Sequence, residues 1–412
     1  MNILQIPRRF TQSDWGGTET VVLETSKRLL GLGHRTEIVC PEAMSGCPSE
    51  FANGVRVRRF PYFYPYFGLS DINRQQLDKK AGNLFSFGVM RALHAYPNLD
   101  LIHLHTAKRL GGIGRHVARQ RRIPYVITLH GGMHDVPCEE MRSWTEPTEG
   151  AFEWGKLLGL WVGSRRVLDD AAAIICVGRS EFEQTRTRYP EKNVIHLPNG
   201  VETSRFAAGN GSRFRQRYKL SPSPMVLMVG RIDRQKNQQL LVRTLPKLRE
   251  RVPGTQLVLI GPVTSDKYRR TLTEEIKKQA VAEHVTIIEG LDPGDPALVD
   301  AYHAADVFAL ASTHEPFGIV ILEAWAAGLP VISSHVGGPK SLIMNGKNGL
   351  LFAPGNDGEF LTAAHTVLRD RALAQRLAAC GRMKVDAFYT WDRITAALVT
   401  IYEDARCANR IH

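Results

Sequence analysis

No stretch of this 412-residue chain approaches the roughly 18 consecutive apolar residues of a membrane-spanning helix, so none is expected. The apolar patch before Pro7 is too short for a secretory signal, and a cytoplasmic chain is the expectation. Its six cysteines (Cys40, Cys47, Cys138, Cys176, Cys380, Cys407) form no C-x-x-C pair, which argues against a zinc site or a disulfide framework and for reduced thiols. Neither half carries G-x-G-x-x-G between its first strand and first helix, nor G-x-x-x-x-G-K-[ST]. A nicotinamide dinucleotide fold and a P-loop ATPase are therefore disfavoured. Short-period repeats and low-complexity segments are absent as well.

What is present is an ordinary globular composition, 43% hydrophobic and 23% charged, long enough for two domains. The net charge of +12 is uneven: residues 52–122 hold thirteen Lys and Arg against three acids. Within that region VRVRRFPYFYPYFGL interleaves Arg56, Arg58 and Arg59 with Phe60, Tyr62, Phe63, Tyr64, Tyr66 and Phe67. Arginine beside aromatics suits an anionic membrane surface, where rings sit at headgroup level. A loop whose rings pack on the domain gives the same pattern. Nucleic acid would use the same residue types, but no nucleic-acid motif accompanies them and it is not an expected partner.

Short β-branched runs alternate with helical stretches along the whole chain, which indicates βαβ units and parallel sheets. The first set runs from Asn2–Ile6 through HRTEIVC, LDLIHLH, PYVITLH and AAAIICVG to NVIHLPNGV. The second runs through MVLMVGR, QLVLIG, VTIIEG, VFALAS and PVISS. A polar stretch from about Glu202 to Pro224 separates them, and an amphipathic helix, TWDRITAALVTIYEDARC, closes the chain. The expected fold is α/β, two Rossmann-like doubly wound domains facing a cleft, with ligands at the carboxyl ends of the strands.

EPFGIVILEAWAAGLPVI carries Glu315 and Glu323 around an apolar helical run. Pro316 suits a first helical turn, Gly318 permits close backbone approach, and free N–H groups near Gly318 and Ile319 offer an anion site. Glu323 should lie about 8–9 Å further along, at 1.5 Å per residue. Carboxylate, anion site, carboxylate matches sugar, pyrophosphate, ribose in a nucleotide sugar. A hydrolytic pair would need both carboxylates to flank one bond. VGRIDRQKN places Arg231 and Lys236 after the first strand of the second half, two cations able to neutralise a leaving diphosphate. In the first half, ITLHGG ends a strand with His130, followed by Gly131 and Gly132, and His130 can hydrogen-bond a sugar or serve a structural role. His103 and His105 share one strand face, but no acidic or cysteine partner has the spacing of a metal site. Gly16 and Gly17 open the first helix with N–H groups for a phosphate or an acceptor. Asp292 and Asp295 lie in a turn-like LDPGDP and do not read as a metal-binding pair.

Together these residues resemble the family 4 (group 1) glycosyltransferases, retaining enzymes of the two-domain GT-B fold. The resemblance spans nearly the whole chain. It rests on GGTETVVLETSKRLLGLGHRTEIV, GRIDRQKN, the E-x7-E of EPFGIVILEAWAAGLPVI, and GGPKSLIMNGKNGLLF. It implies an acceptor-binding domain over 1–204, a nucleotide-sugar-binding domain over 205–389, and a helix over 390–412 packing back on the first. Arg231 and Lys236 would hold the diphosphate with backbone at Gly318 and Ile319. Glu323 would bind ribose hydroxyls. Glu315 and His130 would lie at the transferred sugar, and Gly16 and Gly17 near the phosphate or acceptor. No metal and no cofactor are implied beyond the UDP- or GDP-linked hexose itself. Base choice would rest on the surroundings of Gly261 and Ile288–Leu291.

Family members often carry Glu after the Gly-Gly of GGPKSLI, where this chain has Ser341 preceded by Lys340. An acid role at that place is therefore not expected. The expected acceptor is a saccharide or polyprenyl-linked saccharide of surface polysaccharide or glycolipid synthesis, met at the inner face of a membrane. A nucleotide-sugar epimerase of related fold and a non-catalytic nucleotide-sugar-binding protein are the alternatives. A cofactor-dependent phosphorylase would need a lysine for pyridoxal phosphate, and none can be assigned.

Overall fold

A computed structural model describes residues 1–11, 15–79, 82–131, 145–291 and 294–411. The chain divides into two compact units, Met1–Asn199 with Trp391–His412, and Gly200–Thr390.

The first unit holds strands β1 (Asn2–Ile6), β2 (Arg35–Pro41), β3 (Ser49–Ala52), β4 (Val55–Phe60), β5 (Tyr66–Phe67), β6 (Leu101–Leu104), β7 (Tyr125–Leu129), β8 (Phe152–Glu153), β9 (Ala173–Cys176) and β10 (Val194–His196). Eight of them form one sheet in the order β10-β9-β7-β6-β1-β2-β4-β3, while β5 and β8 pair separately. Neighbours in the large sheet are parallel except β3, which runs antiparallel to β4. Alternate residues feed two cores, as the period of two requires. Leu4, Ile102, Ile127 and Ile174 pack with Val89, Leu93, Ile113 and Val117 on one face. Ile3, Leu101, Val126 and Ile175 pack on the other with Leu398, Ile401 and Tyr402 of the last helix, Trp391–Ile411. Each of those large side chains contributes about 1.5–3 kcal/mol of burial, which secures the returning helix to this sheet. Arg28 adds an ion pair to Asp392 at 2.7 Å.

The second unit is one six-stranded parallel sheet, β13-β12-β11-β14-β15-β16, of β11 (Met225–Val229), β12 (Gln256–Ile260), β13 (Val285–Ile288), β14 (Val307–Leu310), β15 (Val331–Ser334) and β16 (Leu350–Phe352). β11 and β14 are buried along their whole length, as strands covered on both faces must be. The strand order reverses direction between β11 and β14, where Val226 aligns with Val307. Open α/β sheets bind ligands outside the carboxyl ends of strands at such a switch point.

The boundary falls after Asn199 rather than at 204, for a local reason. The Val201 N–H donates to Tyr389 O at 2.8 Å, and the short helix Thr203–Ala207 packs on the helix Ile319–Ala326. The start of the polar stretch is therefore bound into the second unit.

Candidate active site

The loops after β11 and β14 are laced together by side chains that follow both strands. Arg231 Nη2 donates to Gln235 Oε1 at 2.8 Å, and Gln235 Nε2 donates to the His314 carbonyl at 2.9 Å. Lys236 Nζ donates to Glu315 Oε2, joining the two loops by an ion pair that is nearly buried on both sides. Asp233, itself buried, accepts from the Lys236 N–H at 3.0 Å and lies 3.3 Å from Arg231. The Lys236 stem crosses Gly230, where an added Cβ would come 3.3 Å from Cε. Arg231, Lys236 and Glu315 thus meet at the switch point, although 84 positions separate the first from the last.

The helix bearing Glu323 begins at Ile319, not at Pro316. Gly318 stops it earlier: its φ of +96° lies in the left-handed region that favours glycine, so Pro316 and Phe317 form a bend ahead of the first turn. Glu323 is therefore four residues into the helix, about 6 Å along its axis rather than 8–9 Å. No side chain caps this N-terminus, which leaves first-turn N–H groups available to an anion. Gly338 N–H donates to Glu315 O at 2.7 Å and braces the bend from the next loop. Glu323 Oε2 accepts from the Tyr302 hydroxyl at 2.7 Å. Burial raises the Glu323 carboxyl above its usual range, while that hydrogen bond and the Arg205 charge oppose the rise. Lys340 and Ser341 are exposed on the helix Gly337–Leu342, and Ser341 Oγ reaches only Gly337 O at 3.5 Å. At the edge of this site, Gly261 N–H donates to Ile288 O at 2.9 Å, placing the two expected base-contact segments side by side.

In the first unit, His130 follows β7 and is half-buried. His105 Nδ1 lies 2.9 Å from His130 Nε2, and His105 Nε2 lies 2.7 Å from Gln5 Oε1. His103 Nδ1 is 2.7 Å from the Tyr402 hydroxyl, and its Nε2 is 2.7 Å from Thr128 Oγ1. Both nitrogens of His103 and of His105 are thus engaged by protein groups, so neither ring offers a metal a free ligand atom. Desolvation pushes His103 down to about 3 and His130 down to about 4, keeping both neutral at neutral pH. The Gly131 N–H donates to buried Glu181 at 3.0 Å. Gly132 lies outside the described residues, as do Cys138 and Asp292. Cys40, Cys47, Cys176, Cys380 and Cys407 are free thiols.

Gly16 caps the first helix, Gly17–Gly31, in extended backbone, and Gly17 is exposed. Glu19 sits buried in that first turn, 3.4 Å from Arg9, so an anion arriving there would meet a carboxylate. The basic aromatic stretch is corrected by the structure: Arg56, Arg58 and Arg59 belong to strand β4, not to a loop. Arg59 is only 4% exposed and donates to Phe10 O at 2.9 Å and to Glu50. Arg58 pairs with Glu37 at 2.9 Å. Tyr62 and Tyr64 both donate to Asp78, at 2.7 and 2.9 Å. The exposed apolar side chains of this region include Phe67, Phe87, Phe152, Leu157, Leu160 and Trp161, beside exposed Lys156.

Several partners of these groups are not evident from the sequence. Asp233 does carry a local signal, since Asp commonly accepts from a backbone N–H three residues on, as at an N-cap. Tyr302, Gln5 and His105 reach their partners across the fold and carry no such signal.

Known proteins supply a separate line of observation. The family profile described as Glycosyl transferases group 1 matches residues 212–384, and that described as Glycosyltransferase Family 4 matches residues 15–205. The chain is 30% identical to a D-inositol 3-phosphate glycosyltransferase of Actinosynnema mirum, over 95% of this chain and 93% of that one. It is 32% identical to a GDP-mannose-dependent alpha-(1-6)-phosphatidylinositol monomannoside mannosyltransferase of Mycolicibacterium smegmatis, over 62% and 69% of the respective chains. Among solved structures, sucrose-phosphate synthase from Thermosynechococcus elongatus superposes with a TM-score of 0.76 at 22% identity, covering 99% of each chain. Anabaena HepE in complex with UDP and glucose gives 0.72 at 19% identity, covering 97% and 98%. At these identities the structural matches speak for a shared GT-B fold.

Proposed function

The chain belongs to the group 1 glycosyltransferases and transfers a glycosyl group from a nucleotide sugar, and we propose that it moves a hexosyl unit from a UDP- or GDP-linked donor, with retention, to a saccharide or lipid-linked saccharide. The observation that carries the reading is the Lys236–Glu315 pair with Arg231 at the β11/β14 switch point, beside an uncapped helix N-terminus. Arg231, Lys236 and the N–H groups at Gly318 and Ile319 stabilise the leaving diphosphate. Glu323 accepts from the ribose hydroxyls, and Glu315 and His130 act at the transferred sugar. Gly16 and Gly17 approach the phosphate or acceptor.

The acceptor oxygen bonds to the anomeric carbon on the face from which the phosphate departs. The anomeric carbon–oxygen bond breaks, and the acceptor's hydroxyl proton passes to the departing phosphate oxygen. Glu315, held by Lys236, is placed as a partner of charge and not as a nucleophile; a glycosyl adduct trapped on it would overturn this step. The proposed chemistry calls on no metal ion and no cofactor.

A panel of UDP- and GDP-hexoses, scored for protection against thermal unfolding, tests the donor class. A true donor at a hundredfold its Kd stabilises by about 2.7 kcal/mol. Protection by none of them sinks the reading, and product analysis with a labelled donor separates transfer from epimerisation.

Glu323→Gln is expected to raise the donor KM about tenfold with kcat little changed, because a charged acceptor to the ribose is lost. It should also stabilise the protein at neutral pH. The raised native pKa means that the stability associated with this carboxyl is full below about pH 4.5 and is lost as pH rises through the native value. Denaturant midpoints of the two proteins should therefore converge on acidification.

An anionic membrane surface remains the proposed setting for a lipid-linked acceptor, carried by the exposed rings and leucines near Lys156 rather than by Arg58 and Arg59. Among the described residues no helix is long and apolar enough to cross a membrane. Leu157→Asp/Leu160→Asp should abolish flotation with phosphatidylglycerol vesicles, while neutralising Arg59 should unfold rather than release. Flotation unchanged by the paired aspartates would remove this surface.

A further inference from the structure

We propose that Gln5 and His105 are positioning residues that lock His130 in a single tautomer, protonated at Nε2 and bare at Nδ1, so that the ring meets its substrate as a hydrogen-bond acceptor for a sugar hydroxyl. The substrate class rests on the function proposed above; the tautomer lock does not.

Each proton is fixed by the atom it faces. Gln5 Oε1 can only accept, so His105 Nε2, 2.7 Å away, must carry hydrogen. A neutral imidazole carries one proton, which leaves His105 Nδ1 as an acceptor. The atom 2.9 Å from it is His130 Nε2, which must then be the donor. His130 has no second ring proton, and Nδ1 is its lone-pair nitrogen. The direction of the relay is set by the orientation of the Gln5 amide, whose Oε1 faces His105. Gln5 Nε2 donates to the Tyr402 hydroxyl at 3.4 Å, and His103 lies 2.7 Å from that hydroxyl through Nδ1 and 2.7 Å from Thr128 Oγ1 through Nε2, two hydroxyls that can each donate or accept. With the Gln5 amide in this orientation the His105 and His130 protons each have one place, and reversing that amide would reverse both.

Burial supplies the condition that makes the single tautomer hold. Gln5 and Tyr402 are fully buried and His103 and His105 nearly so, and desolvation keeps all three histidines neutral. The other titratable groups facing the cluster are Tyr402, held neutral by burial, and Glu181, which binds the Gly131 N–H. The His105 and His130 rings stack at 5.2 Å, and those of His103 and His105 lie 4.1 Å apart, so a turn of one ring is resisted by the next.

Nitrogen-15 NMR of the imidazoles in the full chain at neutral pH tests the lock without any substitution. Nε2–H at both His105 and His130 is expected, and Nδ1–H at His130 overturns the proposal. Gln5→Glu tests its consequence. A carboxylate beside His105 favours the imidazolium, whose Nδ1–H then faces His130 Nε2 and turns His130 Nδ1 into a donor. Turnover should fall about tenfold near pH 6 and recover as His105 loses its proton, while the parent enzyme stays flat over the same range. Affinity for the free nucleoside diphosphate should not change, since Gln5 and His105 hydrogen-bond to none of the groups assigned to that ligand. A Gln5→Glu profile parallel to the parent's overturns the positioning role. An inactive parent enzyme with the expected tautomers would instead fault the assigned reaction.

Discussion

Lys236→Ala will lower kcat by about 10²–10³-fold, the loss typical of removing one preorganised donor from a developing negative charge. The same change strands Glu315, 8% exposed, without its cation, and breaking such a pair costs about 3 kcal/mol of stability. The two effects separate in the double variant Lys236→Met/Glu315→Gln. Its carboxylate is neutralised, so stability should largely return while turnover does not. Saturating-donor kinetics and urea midpoints on the same preparations provide the comparison. A variant that keeps parental kcat and loses only donor affinity would show that Lys236 binds the ground state and transition state equally.

Gly338→Ala will disrupt the same site from the backbone side. A Cβ there would stand 2.1 Å from the Phe317 carbonyl oxygen and 2.3 Å from its Cα, and backbone cannot yield by changing a rotamer. Its N–H also holds Glu315 O, and neighbouring Gly337 has a φ of +26°. The bend Glu315–Phe317 must shift, carrying the Glu315 carboxylate and the start of the Glu323 helix with it. A loss of about 3 kcal/mol is expected from overpacking, with turnover falling further than stability alone explains. Gly358→Ala is the matched control. Its new Cβ meets only Asn356 Oδ1 at 3.5 Å in the first turn of a helix, so a gain of up to about 1 kcal/mol is expected. Equal urea midpoints for the two variants would refute the steric account.

Much of the donor half is legible in the sequence. The run from Met225 to Val229, the turn at Gly230 and the cations Arg231 and Lys236 sit within one short segment, and local segments keep their order when they fold. The EPFG bend and its helix are legible for the same reason, although the starting residue is not. Gly318 and Pro316 are each compatible with a helix start, and the backbone angle at Gly318 decides between them. The basic stretch misleads because strand and loop arginines look alike in sequence. Arg59 is buried by Phe10 and Glu50, residues set beside it only by sheet pairing and chain return.

By itself the sequence determined the two parallel α/β sets, the residue types at their strand ends and the signature that places the chain among group 1 glycosyltransferases. Periodicity and turn chemistry are short-range properties, and they suffice for that much. Only the tertiary structure decided that Lys236 pairs with Glu315, that Tyr302 holds Glu323, and that Gln5 reaches His130 through His105. Those contacts join residues 21 to 100 positions apart, and no local pattern constrains such pairings until each sheet brings the carboxyl ends of its own strands side by side.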